Sequence, residues 1–195
     1  MKKLFIAAIM MLSMSSVSNA TVLTFEDLSG NNDALSDGYG GFNWNSMTTV
    51  GSIAKDQYIG SGYDVGTIGN VSVYNWYGTS PTNISLATPG TFTFNGAQFT
   101  SAWYNQTLTF QGYFNGNLIK TSSAYNISTT SPTWIELDWS GLTSLEIFNT
   151  NYHWDMDNFT FNNSAPVPEP GTMALLGFGM LGLAIYGKRR MNKEA

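Results

Sequence analysis

Glu136-Leu-Asp138 is the acidic pair whose spacing most directly suggests catalysis. Alternate positions on a strand put both carboxylates on one face, roughly 6.5–7 Å apart at Cα. Inverting glycoside hydrolysis uses two carboxyl groups ~6.5–9.5 Å apart, one as acid and one as base. The same residues also read as the polar face of a strand, because Trp134 and Trp139 do not share one side of it. His153 is the single histidine. A His-rich metal site is therefore excluded, and a Ser-His-Asp triad could use only this residue. Beside Trp154 it reads as a polar residue at a strand end. No Gly-x-Ser-x-Gly and no Walker loop occurs. Trp76-Tyr77 stands just before Gly78. Adjacent strand positions cannot both face a core, so one ring at least is expected at the surface. An exposed aromatic plane suits the C–H face of a sugar ring. Trp44, Trp103 and Trp154 are further stacking candidates, although core packing accounts for most rings in a β-protein.

The elements that must position these side chains follow a period of two, with no long 3.6-residue pattern. Expected strands are Thr21–Glu26, Phe42–Asn45, Asn70–Tyr77, Leu108–Phe114, Asn117–Lys120, Thr133–Trp139, Ser144–Phe148 and Met156–Phe161. Thr91–Phe94, Asn95-Gly96 and Ala97–Tyr104 read as a hairpin or as one long bulged strand. Asn115-Gly116 predicts a type I′ hairpin turn. Many short strands separated by turn signals mean a sandwich or barrel, and no fixed repeat suggests a solenoid.

Composition limits the chemistry further. Between Thr21 and Ala165 there are eleven acidic and two basic residues, Lys55 and Lys120, a net charge of −9. Such a surface argues against nucleic acid and against adhesion to anionic lipid through basic patches. The chain has no cysteine, which rules out disulfides and thiolate metal or redox chemistry. All six Trp lie in this central region, among abundant Asn, Ser, Thr and Gly.

The two ends read as addresses. Lys2 and Lys3 precede the apolar run Leu4–Leu12, and Ser18-Asn19-Ala20 offers the small-x-small pattern that signal peptidase accepts. Residues 1–20 are therefore expected to be a cleaved signal peptide. Nine apolar residues are too few to span a core of ~30 Å. A second apolar segment runs from Gly171 to Gly187, and Lys188, Arg189 and Arg190 follow it. Seventeen helical residues reach about 25 Å, a marginal span, and the positive-inside rule keeps the basic cluster cytoplasmic. Pro168-Glu169-Pro170 lies in front, where two prolines hold the backbone extended. The expected order is a β-domain over 21–163, a linker over 164–171, a transmembrane helix over 172–187 and a basic tail over 188–195.

Val167-Pro-Glu-Pro-Gly-Thr, the Gly/Leu/Ala-rich segment and the Lys-Arg-Arg cluster together resemble a PEP-CTERM sorting domain. The resemblance implies an exosortase partner, export across the inner membrane of a Gram-negative bacterium, a transient membrane anchor, and delivery to the cell surface or medium. Thr24-Phe-Glu-Asp-Leu, Phe110-Gln-Gly-Tyr-Phe-Asn-Gly and Asp157-Asn-Phe-Thr-Phe resemble the jelly-roll domains of such proteins and of carbohydrate-binding modules. That resemblance implies an all-β jelly-roll sandwich. It also implies a structural Ca²⁺ held where first and last strands meet, by Glu26 or Asp27 together with Asp157; Glu26 and Asp157 match by position, with Asp155 as a helper. One jelly-roll glucanase family uses Glu-x-Asp-x-x-Glu; here the last position is Gly141, which breaks the series. The expected function is a non-catalytic, exopolysaccharide-associated surface or matrix domain that binds through Trp76 and Tyr77. The alternatives are a glycan hydrolase using Glu136 and Asp138, and a structural envelope protein without ligand.

Overall fold

The computed structural model describes residues 20–44, 50–164, 177 and 179–183. The chain divides into two compact units, one ending at Ser164 and one starting at Ala165. Most of the signal peptide, the sorting residues Pro168, Glu169 and Pro170, and the basic residues Lys188, Arg189 and Arg190 lie outside the described residues. In the second unit Gly177 and residues 179–183 are helical. Among the described residues no helix is long and apolar enough to cross a membrane.

The first unit is a jelly-roll type β-sandwich of two antiparallel sheets. Its strands are β1 (Thr21–Leu23), β2 (Asn31–Ala34), β3 (Phe42–Asn43), β4 (Val50–Ala54), β5 (Val71–Asn75), β6 (Thr82–Leu86) and β7 (Thr91–Ser101). They continue with β8 (Gln106–Phe114), β9 (Asn117–Thr121), β10 (Tyr125–Ile127), β11 (Thr133–Leu142), β12 (Ser144–Asn149) and β13 (Trp154–Ser164). A seven-stranded sheet runs β11-β7-β13-β5-β4-β2, with β1 also paired to β13. A six-stranded sheet runs β10-β8-β12-β6-β3, with β9 also paired to β8. The predicted hairpin forms at Asn115-Gly116, where both residues have positive φ, 48° and 78°. Thr91–Ser101 is one continuous strand, so the bulged reading holds and the hairpin reading does not.

Alternation places one aromatic layer between the sheets. Phe42 is its hub, edge-on to Phe92, Phe159 and Phe161 at 5.1, 5.3 and 4.7 Å. Such pairs add about 0.5–1.5 kcal/mol each beyond the area they bury. Trp44 and Trp154 belong to this layer and are fully buried, which removes them as surface stacking rings. Trp44 Nε1–H donates to the Tyr39 carbonyl, which makes burial of its indole inexpensive.

A second cluster of Ile53, Tyr63, Tyr74 and Ala102 lies on the other face of the larger sheet. Val73 enters the main core, so its neighbours Ser72 and Tyr74 must face outward. Tyr74 is paired with Asp155, and Asp155 with Thr100, so these three share that outer face. The short helix α1 (Gly62–Gly66) covers it. Two glycines allow the close approach. A Cβ at Gly62 would lie 1.7 Å from the Ser101 carbonyl oxygen, and one at Gly66 2.6 Å from Asp155 Oδ2.

Candidate functional site: an uncharged aromatic cleft

The rings beside α1 line a cleft of about 230 Å³. Its floor is Ile53 on β4, Tyr74 on β5 and Tyr63 on α1. Its rim is Tyr58, Trp76, Tyr77 and Trp103, with Asn32 and His153 adding polar atoms. Tyr63 is the pillar. It is buried, and its ring lies 5.7 Å from Tyr58, 5.5 Å from Tyr74 and 5.6 Å from Trp103. Burial raises the pKa of both Tyr63 and Tyr74, so their phenols stay protonated and act through neutral hydroxyls. The rim stands in solvent: Tyr77 is 73% exposed, Trp103 47% and Tyr58 41%.

Trp76 and Tyr77 do not occupy strand positions. The strand stops at Asn75, and a 3₁₀ turn at Trp76–Gly78 carries both rings. Tyr77 adopts φ 56°, ψ 16°, the left-handed region that a bulky side chain avoids. That kink brings two consecutive rings to one side, where strand alternation would have split them. Strand alternation required only that one of the two rings reach the surface; here both line the cleft.

Asn75 holds this arrangement, and no sequence motif marks it. Its side chain is fully buried. Nδ2 donates to the carbonyls of Thr79 and Tyr152, each at 3.0 Å, and Oδ1 accepts from the Trp154 amide at 2.8 Å. Its own carbonyl oxygen lies 2.8 Å from His153 Nδ1. A carbonyl only accepts, so His153 carries a proton on Nδ1, and its neutral form keeps Nε2 as an acceptor. One amide thus ties the turn bearing Trp76 and Tyr77 to the segment bearing Tyr152 and His153.

Glu26 and Asp157 come close to one loop but form no cation cage. Glu26 accepts from the Asn70 and Val71 amides and from Asn70 Nδ2, and Asp157 accepts from the Ile68 and Asn158 amides. Calcium needs six to eight converging oxygens, and here N–H donors meet the carboxylates instead. Among the described residues no group of three or more His, Asp or Glu could hold a metal. The pair does not fit calcium; it clasps the segment leading into β5. Asp155, the expected helper, points under α1, with Oδ1 2.6 Å from Ser72 Oγ.

Glu136 and Asp138 lie exposed on the edge strand β11. The register shifts between Glu136 and Trp139, and Asp138 has φ 48°, so regular alternation fails at this pair. Asp138 accepts from Asn95 Nδ2 at 2.8 Å. Neither residue lines any of the four described cavities. The largest of these, about 570 Å³ beside Gln106 and Asn126, has no aromatic ring and no charge.

Fold and cleft define a jelly-roll type sandwich with an uncharged, ring-lined surface depression. The chain carries a PEP-CTERM protein-sorting motif at residues 166–190, which marks an exported protein sorted by an exosortase in a Gram-negative bacterium. No curated protein matches the chain. Among solved structures it is similar to the CBM22-1 xylan-binding domain of Paenibacillus barcinonensis Xyn10C. That likeness has 12% identity, covers 78% of this chain and 99% of the other, and has a TM-score of 0.46.

Proposed function

We propose that the protein is a non-catalytic surface or matrix component that holds neutral exopolysaccharide in its aromatic cleft. In this reading a signal peptide starts export, the 172–187 segment anchors the chain briefly, and exosortase processing delivers the domain to the cell surface. The observation that carries the binding reading is the rim of Tyr58, Trp76, Tyr77 and Trp103 around a cleft with no charged lining residue. Ring faces carry negative partial charge and meet the positive C–H face of a pyranose, while Asn32 and His153 Nε2 can engage its hydroxyls. Residual left-handed strain at Tyr77 supports the same reading, because such strain concentrates where a side chain is held for a task.

Affinity electrophoresis of the exported protein through gels containing neutral glucans, mannans, galactans or the producer's own polysaccharide tests it. Retardation by at least one polymer, lost in Trp103→Ala, is expected. Equal mobility in every gel would remove the reading. A hydrolase is the weaker alternative, since Glu136 and Asp138 lie away from the cleft; release of reducing sugar that vanishes in Glu136→Gln would restore it.

A further inference from the structure

The central cleft does not end at its rings. Tyr58 and Trp103 also wall a second depression of about 270 Å³, formed with Ile59, Gly60 and Thr129. Past Tyr77 and His153, their chain neighbours Gly78 and Tyr152 line a third, about 280 Å³, with Ser80 and Asn149. Gly78 and Tyr152 are in contact: a Cβ at Gly78 would lie 3.2 Å from Tyr152 Cα. The second depression thus shares two walls with the central one, and the third begins one residue further along the two segments that carry Tyr77 and His153. No charged side chain lines any of the three.

We propose that the three depressions form one track for an internal run of a neutral polysaccharide chain, one sugar ring in each. This deepens the cleft reading and rests on it. Each depression alone is smaller than the ~300–1,000 Å³ typical of a closed small-molecule site. A terminal-sugar pocket would instead be closed on one side. The acidic domain repels uronate and sulfate polymers, and no lysine or arginine lines the track to counter that repulsion.

Aromatic grooves also bind proline-rich segments, and this chain has one at Pro166–Pro170.

Calorimetric titration of the exported protein with a ladder of neutral gluco-, manno- and galacto-oligosaccharides, from monosaccharide to hexasaccharide, tests the track. Affinity is expected to climb with each added unit through the trisaccharide and then level off. Tyr152→Ala and Ile59→Ala, both outside the central cleft, should weaken trisaccharides and longer chains about tenfold and leave disaccharide binding unchanged. Full affinity at the monosaccharide, or binding abolished by blocking the chain ends, overturns the track and leaves the cleft reading standing. No binding of any oligosaccharide or polymer overturns both. Preference for a peptide spanning residues 164–171 over every sugar also overturns it.

Discussion

The rings of Trp76 and Tyr77 stack on each other at 5.8 Å with only 29° between their planes, although they are consecutive residues. The left-handed backbone at Tyr77 ends the strand alternation that would send the two rings to opposite faces. Asn tolerates that region far better than Tyr. Tyr77→Asn is therefore expected to lower polysaccharide affinity about tenfold while leaving stability within ~1 kcal/mol, since relieved strain offsets the lost stack. Parallel binding and chemical denaturation measurements check this; a large loss of stability with affinity intact would contradict it.

Asn75 should behave in the opposite way. Its side chain makes three hydrogen bonds in a fully buried setting. Asn75→Ala leaves two carbonyls and an amide without these partners and is expected to cost about 3 kcal/mol, with binding falling too because both rim segments loosen. A urea melt with a midpoint like wild type would refute the role assigned to Asn75.

What the sequence disclosed follows from which interactions are local. The Asn115-Gly116 turn and the long strands that became β8, β11, β12 and β13 were legible, because turn chemistry and period-two patterning are encoded residue by residue. Both rings of the predicted stacking pair reached the surface, but their geometry was misread: a single left-handed residue ended the strand early, and Tyr carries no propensity signal for it. Tyr58 and Tyr63 were missed because they sit on a 3₁₀ turn and a five-residue helix, both too short to show a periodicity. Asn75 was invisible for another reason: two of its three side-chain partners lie 77 and 79 positions away. Trp44 and Trp154 had the same composition signal as Trp103, and only the packing of the sheets separates core rings from rim rings.

The buried acids predict an unusual pH profile. Burial pushes Asp157 up to about 7, against the lowering effect of two backbone N–H bonds, and the charge of Glu26 adds to the rise. Asp155 is raised well above the carboxylate range by burial, with Asp157 adding to it. Geometry agrees: Asp155–Ser72, Ser72–Thr67 and Thr67–Tyr63 carbonyl form a chain of three hydrogen bonds at 2.6, 2.7 and 2.7 Å. Ser72 and Thr67 supply one proton each, and a neutral Asp155 supplies the third. A pKa raised by folding stabilises below the unfolded value and loses that effect as pH rises through the folded one. Glu26 has the opposite sign, since bonds from Asn70 hold it low, and its contribution fades as pH falls below its ordinary value. Stability should therefore peak around pH 4–5 and decline toward pH 8. Asp155→Asn, whose amide can supply the missing proton, should flatten that decline; an unchanged slope would exclude Asp155 as its source.

Calcium should not matter to the fold. The Glu26 and Asp157 carboxylates already accept N–H groups of the clasped loop and its neighbours. Melting with EDTA and with excess Ca²⁺ is expected to give the same midpoint. A rise of several degrees with calcium would show that the clasp opens to admit the ion.

The central claim is that the aromatic rim holds a neutral polysaccharide. The most direct measurement is the dissociation constant of the exported protein for its best neutral polymer, compared with Trp103→Ala and with the distant control Trp134→Ala on β11. The account predicts about a tenfold loss, ~1.4 kcal/mol, for Trp103→Ala and no change for the control. Equal affinity in all three proteins, or equal loss in both variants, would contradict it.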